Sequence, residues 1–300
     1  MKGLAFIKAC LYFWLAFIRA CLYRDINSQL LKMQDWFYSN KLSLNGKKTK
    51  YILFSGNNKH VHTYPIYFGG TQVERIGSYC DTKAFKFLGH WVDDTLSWDI
   101  HINKLILKLN GANYALAKMK NKLPFLARKA IYYCLVQSHL TWGSAVTGAT
   151  GVSNINKLES LQNKIIRNLC NKPYNSHTLP LYYEHSLLKF SDLISYNQTL
   201  FGYKFRKDLL PLSFYYLFKY SSEQGGRDLR DNLFKFHVPV NGGYKGRSPF
   251  IEIIQAWNRL SYEDKTIFTI PLFKKQIKSQ LLEKYDGFEC SKPKCYSCNR

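Results

Sequence analysis

Seven apolar residues between Asp99 and Pro124, namely Ile102, Leu105, Leu109, Ala112, Leu116, Met119 and Leu123, recur at alternating steps of three and four. Only a helix stacks residues so spaced on one face. The pattern therefore predicts a long amphipathic helix that ends before Pro124 and packs its apolar stripe against other elements. Its opposite face carries Lys104, Lys108, Lys118, Lys120 and Lys122, which reads either as an ordinary solvated surface or as a row tracking phosphates. Helical spacing continues over Leu126 to His139 and over Ile155, Leu158, Leu161, Ile165 and Leu169, the latter behind a cap at Ser153. It returns in Leu187 to Tyr203 and Ile251 to Leu260. Residues 99 to 285 are thus expected to be mainly helical, with exposed loops at Gly225-Gly226 and at 241–246.

Ahead of that helix the pattern is mixed. Ile26, Leu30, Met33 and Phe37 lie on one face of a helix ending near Asn40, and Asn45-Gly46 signals a turn. Tyr51 to Phe54 is a short strand candidate; Ile66 to Phe68, before the Gly69-Gly70 turn, and Phe87 to Val92 make a second pair. The expected class is α+β: a helix and a small antiparallel sheet, then a mainly helical remainder. Trp98 and Trp142 read as core anchors rather than as platforms for base stacking.

Lysine and arginine total 43 against 20 acidic residues, a formal charge of +23. That excess favours a polyanionic partner, nucleic acid first and an acidic membrane surface second. Aromatic content of 16% suits base stacking, but most aromatics in a globular chain fill its core. Cys10, Cys21, Cys80, Cys134 and Cys170 are scattered through a chain long enough to bury its own core. They read as reduced thiols of an intracellular protein, nuclear or cytoplasmic.

Residues 1–24 stand apart, because LAFIKACLY (4–12) recurs as LAFIRACLY (15–23). A membrane anchor is opposed by Lys8 and Arg19, each costing roughly 2.5–3.5 kcal/mol at a bilayer centre. The rival to a nucleic-acid reading is nonetheless a membrane-associated basic protein anchored by residues 4–23, with its lysines facing acidic lipid.

Several segments follow one another in a specific order: QDWFYSNKLSLNGKKTKYILF (34–54), KFLGHWVDDTLSWDIHINKL (86–105), Tyr133 to Gly148 with Leu140-Thr-Trp-Gly143, and LESLQNKIIRNL (158–169). Tyr174 to Pro180, RSPFIEIIQAWNRL (247–260) and LFKKQIKSQLLEKY (272–285) complete the series. In them the chain from Asp25 to Tyr285 resembles the part of jockey-type LINE reverse transcriptases downstream of the catalytic motif. These are the RNA-directed DNA polymerases of non-LTR retrotransposons. The resemblance implies a right-hand polymerase layout. Residues 25 to 98 would hold the end of the palm and a primer-grip hairpin at 86 to 98, residues 99–150 thumb helices, and 151–285 a helical carboxy-terminal extension. It implies RNA and DNA, as template–primer, for partners and Mg²⁺ for the full-length family. Lys48 matches a lysine that assists proton transfer to departing pyrophosphate; its plain reading is a surface lysine in a basic turn. Lys47, Lys48, Lys50, Lys104 and Lys108 are the expected backbone contacts, and Phe87, Leu88 and Gly89 the expected primer-grip turn, against an ordinary strand and turn.

Val92-Asp-Asp-Thr95 imitates the paired-aspartate turn with which polymerases hold metal. Two metals need several converging carboxylates, yet upstream of Asp93 only Asp25, Asp35 and Asp81 occur, none in an apolar strand. Asp93 and Asp94 are expected in a polar hairpin or at the start of the helix. The family's aspartate turn would lie just before Asp25, where this chain has the repeat, so the 300 residues alone are expected to be inactive as a polymerase. In the tail, residues 286–300, Cys290, Cys295 and Cys298 suit a zinc thiolate, against an unstructured or redox-sensitive end. His60-x-His62 sits in a polar loop.

Overall fold

In the computed structural model the described residues are 23–43, 45–54, 65–224, 234–238 and 248–287. The apolar repeat through residue 22, His60 and His62, Gly225-Gly226, the 241–246 loop and Cys290, Cys295 and Cys298 lie outside them. The chain divides into two compact units, one ending at His101 and one starting at Ile102.

The first unit opens with α1 (Tyr23–Ser39). Its stripe of Ile26, Leu30, Met33 and Phe37 packs on a core of Tyr51, Ile66, Phe68 and Val73, as the spacing requires. Asn27 fixes the docking, since its side-chain oxygen accepts from the Tyr67 amide at 3.0 Å while its amide donates to the Pro65 carbonyl at 3.4 Å. The helix ends in a left-handed Lys41, φ 53°, with the Leu42 amide reaching back to the Phe37 carbonyl at 2.9 Å. That bond satisfies a carbonyl the helix leaves open.

Six short strands follow: β1 (Lys50–Ile52), β2 (Tyr67–Phe68), β3 (Thr71–Gln72), β4 (Glu74–Ile76), β5 (Ala84–Phe87) and β6 (His90–Asp93). They form three two-stranded ladders. The α+β class holds, with one difference in the pairing. β2–β3 and β5–β6 are antiparallel hairpins, whereas β1 and β4 run parallel, Lys50 opposite Glu74 and Ile52 opposite Ile76. The β2–β3 hairpin lies between β1 and β4 in the chain. A second correction concerns Phe87 to Val92, which is no single strand: Phe87 pairs with His90 across Leu88-Gly89.

The long helix, α2 (Asp99–Met119), buries Ile102, Leu105, Leu109, Ala112 and Leu116. It stops at Met119 rather than at Pro124, and Met119 is 37% exposed. The Lys122 and Leu123 amides both turn back to the Met119 carbonyl, since a residue just before proline avoids the helical region. Next come α3 (Phe125–Tyr132), a π-helical turn over Tyr133–Gln137, α4 (Ser138–Thr141), α5 (Ser144–Thr147), α6 (Val152–Leu169) and α7 (Leu179–Glu184). α6 is capped at Gly151 and not by Ser153, which lies exposed inside its first turn. Asn168 on α6 donates to Asn113 on α2 at 2.9 Å.

At the centre of the second unit lies α8 (Phe190–Arg206), against which α4, α5, α6, α9 (Pro249–Asn258) and α11 (Ile270–Glu283) pack; α10 (Tyr262–Thr266) joins the last two. Tyr203 stacks on Phe273 at 4.2 Å, and Phe236 on Trp257 at 5.5 Å, with all four rings almost wholly buried. Each such ring contributes about 1.5–3 kcal/mol by leaving water. Their polar tips are satisfied: Trp257 Nε1 donates to the Phe234 carbonyl at 2.6 Å and Tyr203 Oη to that of Phe268 at 2.8 Å. Among the described residues no helix is long and apolar enough to cross a membrane.

At Gly202 of α8 a Cβ would sit 2.8 Å from Cε3 of Trp257 on α9. The indole is pinned by its own hydrogen bond, so Gly202→Ala should lose about 1–3 kcal/mol to overpacking against a propensity gain of about 1 kcal/mol. Gly111→Ala on α2, where a Cβ meets nothing within 4 Å, should gain that propensity term alone. Urea midpoints of the two variants should move in opposite directions.

Candidate nucleic-acid interface

The β5–β6 hairpin turns on two residues, Leu88 with φ 46° and Gly89 with φ 93°. Positive φ at both central positions matches the right-handed twist of the flanking strands, and leucine is an unusual occupant because its Cβ crowds the carbonyl. Leu88 stands at the tip 44% exposed, with Phe87 half-buried behind it.

At the open end of the hairpin Asp93 is buried. Its Oδ1 accepts from the Thr95 and Ser97 amides at 3.1 and 3.0 Å and from Thr95 Oγ1 at 2.9 Å; Oδ2 accepts from Ser97 Oγ at 2.9 Å. Asp94, also buried, turns the other way, accepting from the Ser78 amide at 2.9 Å and Ser78 Oγ at 2.6 Å. Both carboxylates therefore hold backbone in place, one at the exit toward α2 and one at the loop after β4. Among the described residues no three His, Cys, Asp or Glu side chains are grouped to hold a metal ion.

The exit itself is strained. Leu96 and Trp98 have φ of 54° and 64°. Lys41, Asn171, Ser186 and Asp208, the other left-handed non-glycine residues described, each follow a helix end, where this conformation is ordinary. Leu88, Leu96 and Trp98 do not, and such residues cost of order 1–3 kcal/mol apiece. Trp98 is buried, as expected, edge-on to His90 at 6.4 Å and to His101 at 6.3 Å. The Trp91 amide donates to His101 Nδ1 at 3.3 Å, leaving Nε2–H of His101 to face His90 Nδ1 at 3.4 Å. One assignment of neutral tautomers satisfies both contacts.

Lys48 closes a 3₁₀ turn, Gly46–Lys48. Its amide is held by the Asn45 side chain at 3.1 Å and its own side chain is exposed. Lys50 is instead ion-paired with Glu74 across the parallel ladder, and that hydrogen bond, aided by Thr82, keeps the Glu74 carboxyl below its usual range. The Lys47 side chain lies outside the described atoms. On α2, Lys104 and Lys108 are both exposed, one turn apart. Lys118 Nζ lies 5.6 Å from the centre of the Tyr114 ring, itself 66% exposed, a pairing the lysine row concealed. Trp142 corrects the expected anchor: it is 62% exposed, at the point where α4 ends in extended backbone ahead of the left-handed Gly143, φ 69°.

The chain is similar to a protein of Drosophila funebris, the RNA-directed DNA polymerase from mobile element jockey. The two are 28% identical over 117 residues, which cover 38% of this chain and 13% of that one. No protein-family model and no solved structure matches the chain. The relationship to a retrotransposon reverse transcriptase is distant, and the part shared is a small fraction of the relative's length.

Leu88→Asn, which accepts a left-handed backbone more readily, should stabilise the hairpin by about 0.5–1 kcal/mol. Slower hydrogen exchange of the strand amides would register the gain. Burial lowers the His90 pKa below 6.5. A histidine depressed on folding stabilises the fold above its unfolded pKa and loses that contribution as pH falls from about 6.5 to the folded value. The protection factor of the Trp91 amide, its exchange measured against the intrinsic rate at each pH, should therefore fall over that acidic window, and His90→Gln should abolish the His90 contribution to it.

Proposed function

We propose that this chain grips a nucleic-acid template–primer, as the primer grip and thumb of a retrotransposon reverse transcriptase, without itself completing nucleotide incorporation. The observation that carries the reading is the β5–β6 hairpin: a leucine held in a strained left-handed turn at an exposed tip, with Asp93 and Asp94 both engaged in bracing the backbone behind it. Strain at an exposed turn is stored where a ligand uses the shape. The similarity to the jockey polymerase supports the nucleic-acid class of partner.

In this reading Leu88 and Gly89 meet the primer end, glycine allowing the two backbones to approach. Lys104 and Lys108, point charges one helical turn apart, contact phosphates, and Lys48 contacts the backbone from its turn. No step of phosphoryl transfer is assigned to Asp93 or Asp94. The Asp93 oxygens already accept four hydrogen bonds and those of Asp94 two, all from the fold's own loops, so recruiting them to a metal would release the α2 exit and the Ser78 loop.

Anisotropy of a labelled RNA template carrying a DNA primer should show log affinity falling with log salt, by about 0.9 per phosphate contact on a duplex. Lys104→Gln with Lys108→Gln should flatten the slope by roughly 1.8, two such contacts. A salt-independent affinity would sink the binding proposal. Supplying Mg²⁺ and deoxynucleotides should leave the primer unextended, and extension would overturn the inactive assignment.

A further inference from the structure

The second unit holds a group of cations that the grip does not use. Lys129 of α3 donates from Nζ to the His185 carbonyl at 3.2 Å and lies 5.9 Å from the centre of the Phe125 ring. The Arg128 guanidinium is 5.9 Å from the centre of the same ring, and the His185 imidazole lies against it, tilted by 35°, at 4.4 Å. Lys278 of α11 is half-buried within electrostatic reach of Lys129, and Lys172, just past α6, acts on His185. Three separate stretches of chain thus bring positive charge within electrostatic reach of Lys129 or of the His185 ring beside it.

Little within the fold offsets it. The carboxylate acting on His185 is that of Glu184, 3.8 Å from His185 Nε2 and 65% exposed. Among the described residues Lys129, Lys172 and Lys278 form no ion pair. Burial, and then the charge of Lys129, holds the Lys278 ammonium below its ordinary range. Arg128 is only 8% exposed; Nη1 caps the end of α6 by donating to the Leu169 carbonyl, while its buried Nε has no hydrogen-bond partner among the described residues. Half-buried like charges repel, and an orphaned guanidinium N–H carries a desolvation penalty of its own. The Phe125 face relieves part of this but cannot accept the ammonium hydrogens as an oxyanion does.

We propose that Lys129, Lys172 and Lys278, backed by Arg128, bind a phosphate group, and that a nucleic-acid backbone supplies it. The site rests on the cluster alone; its source of phosphate rests on the function proposed above. It differs in kind from the α2 row, where Lys104 and Lys108 lie along one solvated helix face. Here the cations converge from different elements, which suits one phosphate held in a fixed position. A strand bound at both places would be fastened to the second unit at two points.

Lysine acylation followed by mass spectrometry tests this on the unaltered full chain, with a short single-stranded RNA or orthophosphate as the probe. RNA should slow labelling of Lys129, Lys172 and Lys278 severalfold, relative to the exposed Lys157 and Lys164 of α6. Lys129→Gln with Lys278→Gln should also flatten the salt dependence of RNA affinity by about 1.4, two single-strand contacts at roughly 0.7 each. Lys157→Gln with Lys164→Gln, which removes the same charge, should change it far less. RNA that binds while the three lysines label as fast as Lys157 and Lys164 overturns this site and leaves the grip standing. Shielding by orthophosphate in a chain that binds no RNA overturns the nucleic-acid source, and the proposed function with it. If neither probe shields them, the phosphate site is wrong.

Discussion

The second unit depends on burying α8. Helices α4, α5, α6, α9 and α11 all lay a face against it, and its own buried residues run from Phe190 to Phe205. An amphipathic helix has one stripe to hide, whereas a helix packed by five neighbours must be covered nearly all round, and α8 accordingly buries Gln198 and Thr199 along with its aromatics. Gly202 lets the Trp257 indole lie against the helix backbone, and that close approach brings Phe273, Phe236 and Tyr203 into one aromatic cluster. These rings fill the core of the second unit, whereas others among the described residues, Tyr114 and Trp142 included, stand exposed.

In the first unit the governing constraint is hydrogen bonding rather than apolar area. Short ladders leave many backbone groups unpaired, and a chain leaving a hairpin through two left-handed residues has few ordinary ways to satisfy them. Asp93 supplies the acceptors for the turn into α2, and Asp94 those for the Ser78 loop. The same sequence, Val92-Asp-Asp-Thr95, that imitates a catalytic turn thus serves as scaffold. A carboxylate's role is set by the donors around it, not by the dipeptide in which it stands.

Charge is distributed with a similar economy. Of the lysines named from sequence, Lys50 faces a carboxylate, and Lys48, Lys104 and Lys108 face solvent. The concentration of charge around Phe125 comes from residues separated by as much as 150 positions, Arg128 to Lys278. Net charge says that a polyanion is the fitting partner; only folding decides whether the cations form a row, a pair or a convergent cluster.

Much of the fold was legible because a helix writes its period into the chain. The stripes of α1, α2 and α6 appear in the sequence at residues that are buried or partly buried, Met119 excepted, since one face of each meets a core. Strand pairing was not legible in that way: two- to four-residue strands carry too few alternations to fix a partner, and nothing local distinguishes the parallel β1–β4 ladder from an antiparallel one. The hairpin turn was hidden from residue patterning for a related reason, as Leu88 adopts a backbone its side chain disfavours, and the resemblance alone pointed there. Trp142 was misread because a tryptophan's burial depends on what stands opposite it. What the sequence determined by itself is a basic chain of mainly helical α+β class; the tertiary structure decided which carboxylates brace backbone and which cations converge, because those are distances between residues far apart in the chain.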